Sequence, residues 1–405
     1  MSSILFTGSD FHIGHKSAEQ TALEFFGECG FFELLRGRIE IEKRNGNDIL
    51  GFAICGDLFD HKISVDSPHA KIAMQFMQEL ANLIIVENEG TIINLRGTYS
   101  HDFSQNDIFK NFEEIYEGQF AIVNEVCAFE LEGYSVLCIP EEYMKNQEEF
   151  YADYFNEKYD IILGHGFFKF NCFNKNEVEK HVPEMPTFDQ DQFCEMASLI
   201  VFGHDHGRIT YKDKLHYNGS FTRLCHTDEE EKGYMIHTLK KVKGETKVIS
   251  ARIDNLLTES YKTFFLKEIH TRDIEDDNSY ESVVRAINDK SLDYDYLKIK
   301  LSSDDVVSHP NLLGFLKEYY ASKKNITIEG SNVKLTNNEN VFEDSSGKES
   351  SDNEVEDLKS TYMFDDAIPL ADKILRFIKD KFEDNKVAQN MSLDDINELI
   401  SKDED

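Results

Sequence analysis

The chain of 405 residues predicts an α/β protein, and two observations carry the prediction. The first is a set of five short apolar runs, Ile4–Phe6, Ile49–Cys55, Ile92–Leu95, Tyr159–Leu163 and Leu199–Phe202, which have the length and composition of buried strands. The second is helical periodicity between them, as in Pro68–Leu83, where Ile72, Phe76, Met77, Leu80 and Leu83 share one face. Strands that alternate with helices pack as layers around a sheet. The length suits two or three domains.

Each run ends at a chemically unusual cluster. Ile4–Phe6 leads into Asp10-Phe11-His12, and Ile49–Cys55 into Gly56-Asp57-Leu58-Phe59-Asp60. Ile92–Leu95 precedes Gly97-Thr98-Tyr99-Ser100-His101-Asp102. Tyr159–Leu163 precedes Gly164-His165, and Leu199–Phe202 precedes Gly203-His204-Asp205-His206. Polar clusters just past buried strands put functional side chains on loops held by a rigid scaffold.

Further along, strands are expected at Thr263–Ile269, Tyr296–Leu301 and Asn325–Ile328, alternating with helices at Ser279–Asp289 and Asn311–Ser322. Composition then shifts: Asn337–Asp357 holds eight acidic residues and four serines against one lysine, the signature of a solvated linker. Beyond it Ala367–Phe382 forms an amphipathic helix, with a shorter one at Leu393–Ile400. The expected organisation is therefore a main domain over 1–255, a small α/β domain over 256–335, an acidic linker over 336–362 and a helical segment over 363–405.

Composition narrows the function. A hydrophobic fraction of 40% and an aromatic fraction of 12% exclude a wholly disordered chain. No window approaches the roughly 20 apolar residues of a membrane span, and the apolar start at Ile4 meets Asp10 too soon for a secretory signal. The seven cysteines are scattered, odd in number and without a C-x-x-C pair. They read as thiols in a reducing compartment, so a cytoplasmic location is expected. The net charge of −34 argues against strong unaided binding to nucleic acid. Any anionic substrate must be met by something locally positive.

The strand-end clusters supply that. Asp10 and His12 stand two apart, so their side chains point the same way. A carboxylate such as Asp57 has two oxygens and can bridge two cations. His165, His204 and His206 follow apolar runs, the first two directly behind a glycine that lets the backbone come close. Two aspartates and four histidines, all at strand ends, suit a pair of divalent ions with mixed oxygen and nitrogen ligands.

In this pattern the chain resembles the calcineurin-like metallophosphoesterases, whose motifs are D-x-H, G-D-x-x-D, G-N-H-D/E, G-H and G-H-x-H. More narrowly it resembles the SbcD-type nuclease subunits that partner an SMC-like coiled-coil ATPase in DNA double-strand-break processing. The motifs fill about residues 4–225 and end in Tyr217-Asn218-Gly219-Ser220, much like the segment after the last histidine in those nucleases. The small α/β domain stands where they carry a DNA-capping domain, and the terminal helix where they grip the ATPase coiled coil.

The resemblance implies a β-sandwich flanked by helices and a metal-dependent DNA exo- or endonuclease acting in DNA recombination or repair. Its partners would be DNA and the ATPase, with a homodimer also implied and no membrane. It implies two divalent ions, most readily Mn²⁺, with Mg²⁺, Fe²⁺ or Zn²⁺ as alternatives. One ion would be held by Asp10, His12, Asp57 and His206, the other by Asp57, His165, His204 and the G-N-H-D asparagine. His101 would be the catalytic histidine, with Asp102 or Asp60 orienting imidazoles. The sequence departs from the family at the asparagine: Ser100 precedes His101, and is expected to bind the second ion itself or leave its place to water.

Lys16, Arg96, Lys169, Arg208 and Arg223 are the basic residues near the motifs, expected on a solvated surface or along a DNA path. His15 is a candidate phosphate contact. Phe167, Phe168 and Phe170 suit core packing or base stacking. Two other readings stay open: another phosphoesterase, either a phosphatase or a small-nucleotide phosphodiesterase, and a protein-binding scaffold with a degenerate metal site.

Overall fold

The five apolar runs become parallel strands whose C-terminal ends lie together, and that common edge is where the fold places its chemistry. The structure is a computed structural model describing residues 2–102, 105–142, 147–171, 187–226, 228–270 and 278–330. Two six-stranded mixed sheets form the main body. The first holds β1 (Ser3–Gly8), β2 (Asp48–Cys55), β3 (Thr91–Leu95) and β4 (Phe120–Val123) in parallel, extended past β1 by the antiparallel hairpin of β13 (Gly233–Val242) and β14 (Glu245–Asp254). The second runs in the order β11 (Thr210–Tyr211), β12 (Leu215–Tyr217), β10 (Ala197–Gly203), β7 (Tyr159–His165), β6 (Tyr134–Ile139) and β5 (Cys127–Leu131).

Alternation along the strands builds three apolar layers. Leu5, Ala53, Cys55 and Leu95 meet Val136, Leu163, Leu199 and Val201 between the sheets. Ile4, Phe6, Phe52 and Ile54 face outward under the helices Ala18–Phe26, Phe31–Arg44 and Pro68–Ala81. Leu137, Ile162, Ile200 and Phe202 cover the far side of the second sheet with Phe168, Phe188 and Phe193. Strands buried on both faces explain why their sequences read as unbroken apolar runs.

Helix Pro68–Ala81 starts where the side chain of Ser67 accepts a hydrogen bond from the amide of Ala70, with Pro68 in the first turn. It buries Ile72, Phe76, Met77 and Leu80 and continues as a π-helical turn over Asn82–Val86, so the expected end at Leu83 falls inside that turn. A short two-stranded ladder joins β8 (Phe167–Phe168) to β9 (Thr187–Phe188).

The strands expected in the small domain form a parallel sheet of β15 (Tyr261–Phe265), β16 (Tyr296–Leu301) and β17 (Ile326–Gly330). The expected first strand is cut short, because Leu266–Ile269 turn into helix. Helices Asn278–Lys290 and Leu312–Tyr320 bury Val283, Ile287, Leu312 and Leu316 against Leu297, Ile299 and Ile328 on one face. By its contacts the chain divides after Val333, so this sheet belongs to the same unit as the sandwich. The expected linker and terminal helices lie outside the described residues. Among those described, no helix is long and apolar enough to cross a membrane.

Phe76 is fully buried against Phe11, Phe25, Phe31 and Phe32. Phe76→Ala is expected to cost about 3–5 kcal/mol in urea unfolding, whereas Leu292→Ala, at an 85% exposed position, stays within about 0.5 kcal/mol.

Candidate metal centre

Six strand ends converge on one site. Asp10 and His12 follow β1, Asp57 follows β2, Thr98 and His101 follow β3, Glu141 follows β6, His165 closes β7, and His204 and His206 follow β10. The residue between the first two ligands is an anchor: Phe11 is buried and stacks on Phe221 at 5.3 Å. Leu58 and Phe59 do the same after Asp57. With apolar neighbours fixed in the core, the polar side chains have one direction left. Asp10, His12, Asp57 and His204 take left-handed backbone conformations, with φ of 51°, 46°, 52° and 94°. Non-glycine residues held there store strain, and such strain clusters at functional sites.

The side chains form overlapping donor groups whose ligand atoms lie within 4.8 Å of one another: Asp10, His12 and His206; Asp10, Asp57 and His165; His12, Asp57 and His101; and Glu141, His165 and His204. Asp57 belongs to two of them. His165 Nδ1 lies 2.8 Å from the carbonyl oxygen of Cys55 and donates to it, which turns the lone pair of Nε2 into the site. That nitrogen is completely buried and has no hydrogen-bond partner. It stands 3.3 Å from Asp57 Oδ2 and 3.5 Å from Glu141 Oε2. His12 Nε2 and His206 Nε2 are 3.2 Å apart. A buried orphan nitrogen among carboxylates, beside two facing imidazoles, is a donor set that can hold a metal ion.

Glu141 is a candidate donor that the motifs do not include. It is completely buried, and its Oε2 lies 2.7 Å from His204 Nδ1. Its signal was in the sequence: the apolar run Val136–Ile139 ends at Pro140-Glu141, the same grammar as the other strand ends. Ser100, by contrast, is exposed. Thr98, two residues before Ser100, reaches the acidic side chains of the site. Its amide donates to Asp57 Oδ1 at 2.6 Å, and its hydroxyl lies 3.2 Å from Asp57 Oδ2 and 3.3 Å from Glu141 Oε2.

The two supporting aspartates divide the work. Asp60 hydrogen-bonds His15 Nδ1 at 3.2 Å and His61 Nδ1 at 3.0 Å, and its carboxylate lies 3.2 Å from His12 Nδ1. Asp102 orients no imidazole. Fully buried, it accepts the amides of Asp57 and Gly97 at 2.8 Å each and of Phe59 at 3.2 Å, so it braces two loops by their backbones. Those loops pass so closely that a Cβ on Gly97 would lie 2.2 Å from Asp57 Oδ1.

Burial and charge set the protonation of the site. Burial holds His12 and His206 below the usual imidazole range; it also lowers His165 and His204, but Asp57 beside His165 and Glu141 beside His204 lift these two above it. Burial also lowers His101, but Asp57, whose Oδ2 is 2.9 Å from His101 Nδ1, lifts it to about 9. Burial, reinforced by the charge of Asp57, pushes Asp102 up to about 7.

The basic residues expected on a solvated surface or along a DNA path are mostly internal. Lys16 donates to Glu24 at 2.9 Å and Thr222 at 2.7 Å, Arg96 pairs with Glu142, Arg208 with Asp254, and Arg223 with Glu231. Lys169 is exposed and pairs with Asp189. His15 is turned between Asp60 and the carbonyl oxygen of Leu224. Phe168 packs in the core, Phe170 stacks on Tyr211, and Phe167 braces His204 edge-on with centroids 4.2 Å apart.

No family model and no curated protein matches the chain. Among solved structures the chain is similar to one at 12% identity, over 62% of this chain and 99% of the other, with a TM-score of 0.35. A likeness that slight carries no argument about function.

If Glu141 is a donor and Ser100 is not, Glu141→Ala should weaken Mn²⁺ binding by more than about tenfold in calorimetric titration, since even outer partners of ligands are worth 10–100-fold. Ser100→Ala should leave the affinity unchanged.

Proposed function

We propose that the chain is a divalent-metal-dependent phosphodiesterase that hydrolyses DNA, working in end processing with an SMC-like ATPase. The observation that carries the reading is Asp57, one buried carboxylate shared by two donor groups, with the buried Nε2 of His165 3.3 Å from it. Such a set suits two ions, most readily Mn²⁺, one on Asp10, His12, Asp57 and His206 and the other on Asp57, Glu141, His165 and His204. Held there, divalent cations would polarise the phosphate and ease deprotonation of the attacking water.

The chain's own residues do the rest. His101 is anchored to Asp57 through Nδ1, which leaves Nε2 to serve the leaving oxygen as a proton donor. Asp60 holds His12 in place from behind, Phe167 fixes the plane of His204, and Asp102 keeps the loops that carry Asp57 and His101 in register.

Charge supports the same reading. With a net charge of −34, and with Lys16, Arg96, Arg208 and Arg223 engaged in internal pairs, a phosphate gains most from cations at the centre itself. The ATPase would supply further affinity for DNA, docking on the terminal helical segment 363–405, which lies outside the described residues. The acidic charge equally favours a small-nucleotide phosphodiesterase, and the substrate separates the two.

Full-length protein with Mn²⁺ should degrade linear duplex DNA, lose that activity to a chelator and regain it with added Mn²⁺. Asp57→Asn should abolish it, and His101→Ala should lower it by about 10²–10⁴-fold, the usual contribution of a general acid. Turnover of a chromogenic phosphodiester without any digestion of DNA would select the small-substrate reading. A metal-loaded protein inert toward both would leave a scaffold.

A further inference from the structure

The hairpin of β5 and β6 sets Cys127 directly opposite Cys138. Opposed residues of an antiparallel pair have Cα atoms about 4.5–5.5 Å apart, inside the roughly 4.4–6.8 Å that a disulfide spans. Both side chains point into the layer between the sheets, where Cys138 is completely buried and Cys127 half-buried. Facing each other, the two thiols are driven apart in acidity: Cys138 holds Cys127 below the ordinary thiol range, and Cys127 together with burial lifts Cys138 above it. Strand β5 is the edge of its sheet, so Cys127 is the thiol that a small oxidant reaches first and Cys138 the enclosed partner.

We propose that Cys127 and Cys138 are a dithiol that a hydroperoxide oxidises to a disulfide across the hairpin. The sulfur of Cys127 attacks the terminal peroxide oxygen and the O–O bond breaks. Cys127 becomes a sulfenic acid, and the other oxygen leaves as water or an alcohol. The sulfur of Cys138 then attacks that of Cys127: the S–S bond forms, the S–OH bond breaks, and the hydroxide leaves as water with the proton of Cys138. The two sulfurs give up two electrons together, and the peroxide takes them.

The location gives the bond a consequence. Strand β6 ends at Ile139, one residue past Cys138, and Pro140 then leads directly to Glu141. The disulfide therefore ties the sheet edge to the strand that delivers a donor to the candidate centre. Cys55, on the facing sheet, shares the same buried layer, which makes it the competing partner to test.

The test treats the full-length protein with hydrogen peroxide, unfolds it in urea with a maleimide, digests it and reads the peptides by mass spectrometry. The expected result is a Cys127–Cys138 cross-linked peptide, loss of maleimide from both positions, and recovery of both labels after dithiothreitol. Cys127→Ser should leave Cys138 fully labelled, and Cys138→Ala should leave a dimedone-reactive sulfenic acid at Cys127. Equal labelling of both thiols with and without peroxide overturns the proposal. So does a Cys138–Cys55 bond, or oxidation of Cys127 that never joins Cys138. None of these outcomes depends on the proposed nuclease activity.

Discussion

Asp57 sits almost out of water, and everything around the centre answers to that fact. Its carboxylate is 3.3 Å from His165, 2.9 Å from His101 and 4.0 Å from His12, and it accepts the amide of Thr98 at 2.6 Å. A buried carboxylate without such partners costs several kcal/mol. The partners come from strands in both sheets, so the charge is satisfied only when the two sheet edges close on one another. Asp10 and Glu141 repeat the demand from either side. The left-handed conformations at Asp10, His12, Asp57 and His204 follow, because a chain leaving a strand must turn sharply to bring its side chain back inward. At about 1–3 kcal/mol each, these turns persist because Phe11, Leu58 and Phe59 are clamped in the core beneath them.

The same closure explains where the positive charge went. Lys16, Arg96, Arg208 and Arg223 act as internal staples, and Lys232, completely buried, donates to the carbonyl oxygen of His206 at 2.7 Å. These cations hold loops together instead of facing solvent.

What the sequence made legible was whatever depends on neighbours in the chain. Apolar runs such as Leu199–Phe202 announce strands because both their faces are buried, and Asp10, His12, Asp57 and His165 stand out as candidate donors because they stand where those runs end. The hairpin of β13 and β14 went unread, since its polar half, Thr238–Val242, dilutes the apolar signal of Tyr234–Ile236. Glu141 escaped because a single glutamate past a strand carries no spacing of its own, and only the fold sets it 2.7 Å from a histidine 63 positions away. The bonds of Asp102 were not legible because they depend on a loop curling back to offer three amides. Lys16 looked solvated because its partners Glu24 and Glu259 are brought to it only by tertiary packing.

The claim that everything else rests on is that Asp57 is shared by two ions. Crystals soaked in Mn²⁺ and measured at the manganese absorption edge test it directly. Two anomalous peaks should flank the Asp57 carboxylate, one in contact with Asp10, His12 and His206 and the other with Glu141, His165 and His204. A lone peak away from Asp57, or a centre whose histidines stay in place with no peak at saturating Mn²⁺, would contradict it.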